Sequence, residues 1–156
     1  MARDLQRQLR QRAPFESPEA EVFLNLLRTA AVLTHGLTDV LRPHDLSQAQ
    51  YNILRILRGA EPDGLPCREI GERLVSHDPD VTRLLDRLEA RGFVARARDT
   101  ADRRVVTARL TAEGRRVVDA LDAPVAALHR RQLGHVPADD LRALSGLLEA
   151  ARHELP

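Results

Sequence analysis

The residues best suited to recognition chemistry lie in the middle of the chain. Arg83 and Arg87 stand one helical turn apart in VTRLLDRLE, and Val81, Leu84, Leu85 and Leu88 form an apolar stripe on the other side. A guanidinium fork one turn into such a helix can donate to guanine O6 and N7, while one a turn later suits phosphate. On an ordinary solvated helix the same arginines would instead pair with Asp86 or Glu89. Further on, Asp102-Arg103-Arg104 falls at the tip of an expected hairpin. A carboxylate and two arginines make a poor interior but suit a DNA minor groove, where phosphate potential is concentrated. The helix start, His77-Asp78-Pro79-Asp80, is acidic and would repel phosphate. Its carboxylates either cap the helix, the role expected of Asp78, or Asp80 accepts from a cytosine amino group. Residues 76–109 hold eight arginines against six acids, a net of +2, so non-specific affinity should be modest and salt-sensitive.

Other chemistries find little support. Gly59 and Gly64 are followed by Leu65-Pro66 and not by Lys-Ser, so there is no phosphate-binding P-loop, and neither Gly-x-Ser-x-Gly nor His-Glu-x-x-His occurs. An enzyme is not expected, nor is a cofactor. Six histidines and one cysteine lack His-x3-His or Cys-x2-Cys spacing, so no metal site is assigned and a metal-responsive regulator is a minor alternative. Cys67, at a helix start, is a candidate redox switch if its pKa is lowered there, though a lone cysteine is more often passive.

Several elements must position these residues. With 156 residues the chain fits one compact unit, and 43% hydrophobic with 30% charged residues suits a globular protein with an aliphatic core. Twenty-four basic side chains, all arginine, against 23 acidic ones leave a net charge of +1, which excludes polybasic and acidic tails. Any nucleic-acid face must therefore be local. No apolar run reaches bilayer length and MARDLQRQLRQR lacks an apolar signal region, so no membrane association is expected and the cytoplasm is the default location. Residues 1–14 read as a short basic segment. Pro18 opens a long helix carrying Val22, Leu26, Ala30, Leu33, Leu37 and Leu41, which Pro43 stops. Ser47 and Gln50 form a capping box for a helix through Leu57, and a short helix follows from Cys67 to Val75. Pro79 opens the arginine-bearing helix and Gly92 ends it. Phe93 to Arg98 and Arg104 to Leu110 alternate as a two-stranded hairpin. Thr111 caps a long helix that Pro124 should bend, and a last helix follows Pro137.

The fold class is thus mainly α with a small β-hairpin wing: a winged helix-turn-helix lobe, 46–110, flanked by helices at 15–45 and 111–156. These outer helices carry more apolar surface than a three-helix core can cover, so they are expected to dimerise two chains about a two-fold axis.

The stretch VTRLLDRLEARGFVARARDTADRRVVTARLTAEG, Val81 to Gly114, resembles the MarR family of bacterial transcription regulators. The likeness rests on the recognition helix, the Arg-Gly stop, Asp102-Arg103-Arg104 and Leu110-Thr111-x-x-Gly114, with weaker agreement at Leu46-Ser47-x-x-Gln50 and Glu69-Ile70. It implies a homodimer on double-stranded DNA, a repressor relieved by a ligand, with Asp102 orienting a wing arginine, Arg104 for preference. The candidate DNA-binding residues are Ser76, His77, Asp80, Thr82, Arg83, Arg87, Asp102, Arg103 and Arg104. The resemblance also implies a small amphipathic or phenolic effector between the dimer helices and the lobe. His35, Tyr51, Asn52, Arg55 and His129 are its candidate wall residues. A winged helix used only for protein contacts is the competing class, and would leave Arg83 and Arg104 dispensable.

Overall fold

A computed structural model describes residues 3–75, 80–98 and 104–153. Helix α1, Arg3–Gln8, precedes the long α2, Pro18–Leu41, which Ser17 caps by accepting from the Ala20 amide. A 3-10 turn at Arg42–His44 carries Pro43 and ends with Asp45 in the left-handed region, redirecting the chain into α3, Gln48–Arg58. The expected capping box is present: the Ser47 hydroxyl accepts from the Gln50 amide at 3.1 Å, and the Gln50 side chain accepts from the Ser47 amide at 2.9 Å. The short α4, Cys67–Arg73, and then α5, Val81–Ala90, complete the inner helices.

Strands β2, Val94–Arg98, and β3, Val106–Leu110, pair antiparallel in the register Val94 to Leu110. A third strand, β1, Leu65–Pro66, pairs with the other side of β3, giving the order β1-β3-β2. The expected two-stranded hairpin is present, and β1 joins it as a third strand that the sequence pattern does not mark: Leu65-Pro66 is too short for any alternation, and only pairing with Ala108 and Thr107 makes it a strand. Helix α6, Ala112–Leu133, continues unbroken through Pro124, and α7, Ala138–His153, ends the described chain.

One core serves the whole lobe. Ile53, Leu54 and Leu57 of α3, Ile70 of α4, Leu85 and Leu88 of α5 and Ala108 of β3 are fully buried together. Leu41 of α2 and Val118 and Leu121 of α6 belong to the same cluster, so the flanking helices are anchored in the lobe's interior. Polar clasps reinforce the junction. Arg58 of α3 forks onto Asp122 at 2.9 Å and reaches Asp119 at 2.7 Å, both on α6. Arg115 of α6 pairs with Glu61 beyond the end of α3. Helix α7 buries no residue, and Phe23, Val22 and Leu27 of α2 and Leu147 of α7 are each more than half exposed.

Glycines act at two places in the frame. Gly92, at φ 72°, stops α5 in a conformation that a side chain would strain. Gly114 lies in the first turn of α6, where a Cβ would overlap the Phe93 carbonyl oxygen. That oxygen is pinned, since it accepts from the Thr111 amide at 3.1 Å, and the Thr111 hydroxyl both accepts from the Gly114 amide and donates to the Gly92 carbonyl. Gly114→Ala is therefore expected to destabilise the fold by about 2 kcal/mol or more. Urea unfolding checks this; an unchanged midpoint would mean the first turn of α6 can move away.

Candidate nucleic-acid interface

Helix α5 divides its surface into three faces. Leu85 and Leu88 have no exposed surface and Val81 and Leu84 are half-buried, which fixes the helix's rotation on the core. Successive residues turn by about 100°, so Arg83 and Arg87 emerge together on the side away from the core. Both are exposed, as is Thr82. Asp86 and Glu89 form a third face, turned towards β2.

The third face is occupied in a way that sequence spacing did not reveal. Arg96 of β2 donates through Nε to Glu89 at 2.9 Å and through Nη2 to Glu89 at 2.6 Å and Asp86 at 2.5 Å. The Arg96 backbone amide also donates to Glu89, at 3.0 Å. The Arg96 hydrogen bonds hold the Glu89 carboxyl below the usual carboxylate range, and the two carboxylates raise the arginine in turn. Asp86 and Glu89 are thus taken by Arg96, and the alternative in which they pair with Arg83 and Arg87 does not describe this helix. Arg87 has no carboxylate partner among the described residues.

At the N-terminus, Asp80 is the cap: its side chain accepts from the Arg83 amide at 3.1 Å. Its other oxygen lies 3.9 Å from the Arg83 guanidinium, which is itself largely exposed. The described helix begins at Val81, two residues past the expected Pro79. At the C-terminus Arg91 stacks on the Phe93 ring at 4.6 Å and donates to the Asp45 and His44 carbonyls at 2.5 and 2.8 Å, tying α5 to the turn after α2.

Arg104 is exposed at the wing and lines a cleft of about 630 Å³ with Pro66, Cys67, Arg68 and Val106. Ser76, His77, Asp78, Asp102 and Arg103 lie outside the described residues. Burial pushes the Cys67 thiol above its ordinary value despite the positive charge of nearby Arg96. The lowered pKa that a redox switch would need is therefore not found. Among the described residues no group of three or more His, Cys, Asp or Glu could hold a metal, and no helix is long and apolar enough to cross a membrane.

The candidate effector residues are spread over three helices. Tyr51 of α3 is buried in the core with Arg55 over its ring at 5.9 Å. Asn52 turns a buried Oδ1 inward that no described group donates to. His35 of α2, 3.7 Å from Asp39, and His129 of α6 are exposed.

The comparisons with known proteins agree with this geometry. Residues 46–106 match the model of the MarR family. The HTH-type transcriptional regulator TtmR of Methylorubrum extorquens (strain PA1) is 34% identical over 143 residues, 90% of this chain and 70% of the relative. The chain belongs to the MarR family. Among solved structures, a MarR transcription factor from Planctomyces limnophilus is 40% identical, with a TM-score of 0.68 over 88% of this chain and 99% of that one. A mutant MarR from E. coli complexed with operator DNA is 28% identical, with a TM-score of 0.74 over 84% of this chain and 91% of that one. This MarR-family chain is accordingly a DNA-binding transcriptional regulator with a winged-helix fold. The matched region spans α3 to the start of β3 and includes all three faces of α5.

Because Asp80 caps α5, Asp80→Ala should cost about 1 kcal/mol of stability, whereas Asp80→Asn, which preserves an acceptor, should cost much less. Urea unfolding of both variants tests this. Equal stability of Asp80→Ala and the wild type would remove the cap and leave Asp80 available to a base.

Proposed function

We propose that this regulator is a cytoplasmic repressor that binds a pseudo-palindromic operator as a homodimer. In this reading α5 enters the major groove and the wing reaches the adjacent minor groove. The observation that carries it is the exposed pair Arg83 and Arg87 on a helix whose opposite face is locked in the core. Arg83, held near the helix start, has the reach for a guanine edge, and Arg87 suits phosphate. Arg104 is the wing residue for the minor groove. Ser76, His77, Asp80, Thr82, Asp102 and Arg103 complete the interface proposed at the two tips.

The second copy is argued from what one chain leaves uncovered. Val22, Phe23, Leu26 and Leu27 on α2 and Leu144 and Leu147 on α7 are exposed large apolar side chains, more than a lone small protein usually presents in contiguous patches. Pairing α2 and α7 about a two-fold axis would cover them and set two α5 helices about one DNA turn apart. The segments 15–45 and 111–156 are thus assigned to dimerisation and 46–110 to DNA.

Relief of repression is assigned to a small amphipathic or phenolic molecule near α3, where α2 and α6 both contact it. The buried Asn52 Oδ1 accepts from no donor among the described residues, and a phenolic hydroxyl would supply one. Tyr51, Arg55, His35 and His129 are the other wall residues proposed.

Arg83→Ala should weaken operator binding by about 1–3 kcal/mol and relax base preference at one position per half-site. Fluorescence anisotropy on operator duplexes substituted base by base checks this, and equal loss on every sequence would reassign Arg83 to phosphate. Small phenolic acids added to the same titration test the effector, which an unchanged affinity across the series contradicts. Light scattering at micromolar concentration should report twice 17.4 kDa, and a 17.4 kDa particle would overturn the dimer.

A further inference from the structure

The Arg96 clasp lies outside the buried apolar cluster, between the two elements proposed above to read DNA. Among the described residues β2 is an edge strand, hydrogen-bonded to β3 on one side only, so its outward amides need partners from elsewhere. Glu89 supplies one, accepting from the Arg96 amide as well as from its guanidinium. The wing is thereby fastened to the recognition helix by both backbone and side chain. The Arg96 side chain retains only 21% of its exposure, and its Nε and Nη2 are committed to carboxylates, so it is poorly placed to meet phosphate itself. Asp86 and Glu89 flank the face that carries Arg83 and Arg87, where uncompensated carboxylates would repel a phosphate backbone. The single positive charge of Arg96 is shared between them and lowers their combined charge from -2 to -1.

We propose that Arg96 is a positioning residue for DNA binding: by clasping Asp86 and Glu89 it fixes the wing to α5, so that helix and wing meet the duplex as one preorganised surface. This rests on the reading that α5 and the wing bind DNA. It makes a prediction opposite in sign to simple charge counting. Removing a negative charge beside a DNA-facing helix should tighten binding, whereas breaking the clasp should weaken it.

The experiment uses the full chain and a duplex that the wild-type protein selects from a random-sequence library. Anisotropy is read at two salt concentrations for the wild type, Glu89→Gln, Arg96→Gln and the double variant. Glu89→Gln should bind about fivefold or more weakly despite its lost negative charge, and the double variant should be no weaker than the weaker single one. Hydroxyl-radical footprints should lose protection at the outer minor grooves while Arg83-dependent base preference in the major groove is kept, a pattern that general destabilisation would not give. If Glu89→Gln does not fold, as read by circular dichroism, Asp86→Asn carries the same test of sign. Equal or tighter binding by the folded carboxylate variant would overturn the clasp. So would additive losses, with Arg96→Gln alone reducing the salt slope, because Arg96 would then contact phosphate directly. A wild-type protein that selects no duplex would overturn the DNA-binding reading itself, and the clasp with it.

Discussion

The seating of Leu85 and Leu88 in the core is the constraint from which the outward arginine face of α5 follows. Both are fully buried, and each contributes about 1.5–3 kcal/mol relative to exposure. Rotating α5 by a single residue would move its side chains through about 100°, lifting leucine into solvent and driving a charged neighbour towards the core. The helix therefore has one rotational phase, and in that phase Arg83 and Arg87 face outward. The cluster that holds α5 also contains Leu41 of α2 and Leu121 of α6, so the direction in which the arginines point is tied to the helices that frame the lobe. Arg58 on Asp119 and Asp122, and Arg91 on the Asp45 and His44 carbonyls, add directional bonds at the two ends of that connection.

Charge is used economically in this lobe. With a net of only +2 over residues 76–109, the arrangement of arginines matters more than their number. Some are structural: Arg58, Arg91 and Arg96 hold carboxylates or carbonyls. Others, Arg83 and Arg87 among them, are left facing solvent. The carboxyls of Glu89 and Asp122 are held below their ordinary range by Arg96 and Arg58 respectively. A depressed carboxylate stabilises the fold above its unfolded pKa of about 4 and loses that contribution only as the pH falls through the lower folded value. These clasps are therefore intact at neutral pH and open only in acid.

The parts of the fold legible in the sequence are those that local chemistry decides. The apolar spacing along α2, α3, α5 and α6, the Ser47 and Gln50 box, the Thr111 cap and the left-handed Gly92 are each set within a few residues, and the structure has them where the pattern puts them. The features that pattern does not supply are tertiary. Strand β1 exists only through pairing with residues far along the chain. The capping role at α5 belongs to Asp80, and nothing in the Asp78-Pro79-Asp80 run distinguishes the two carboxylates beforehand. Glu89 and Arg96 lie on different elements joined by the turn at Gly92, so their meeting depends on how β2 crosses α5 and not on helical spacing. Cys67 stands at a helix start, but its burial outweighs that position and raises its pKa. Helical spacing allows Asp86 and Glu89 to pair equally well with Arg83 and Arg87, so nothing local to α5 marks them as partners of Arg96.

Sequence-specific recognition through α5 is tested most directly by fluorescence anisotropy of the protein on the DNA upstream of its own gene and on a scrambled duplex of equal composition, each at two salt concentrations. Recognition of base edges by a preorganised helix and wing predicts a preference of about a thousandfold for the upstream duplex, persisting at the higher salt while binding to the scrambled duplex falls away. Equal affinity for the two duplexes, falling together with salt, would mean that the arginine face contacts phosphate alone and would contradict base-specific recognition of that DNA.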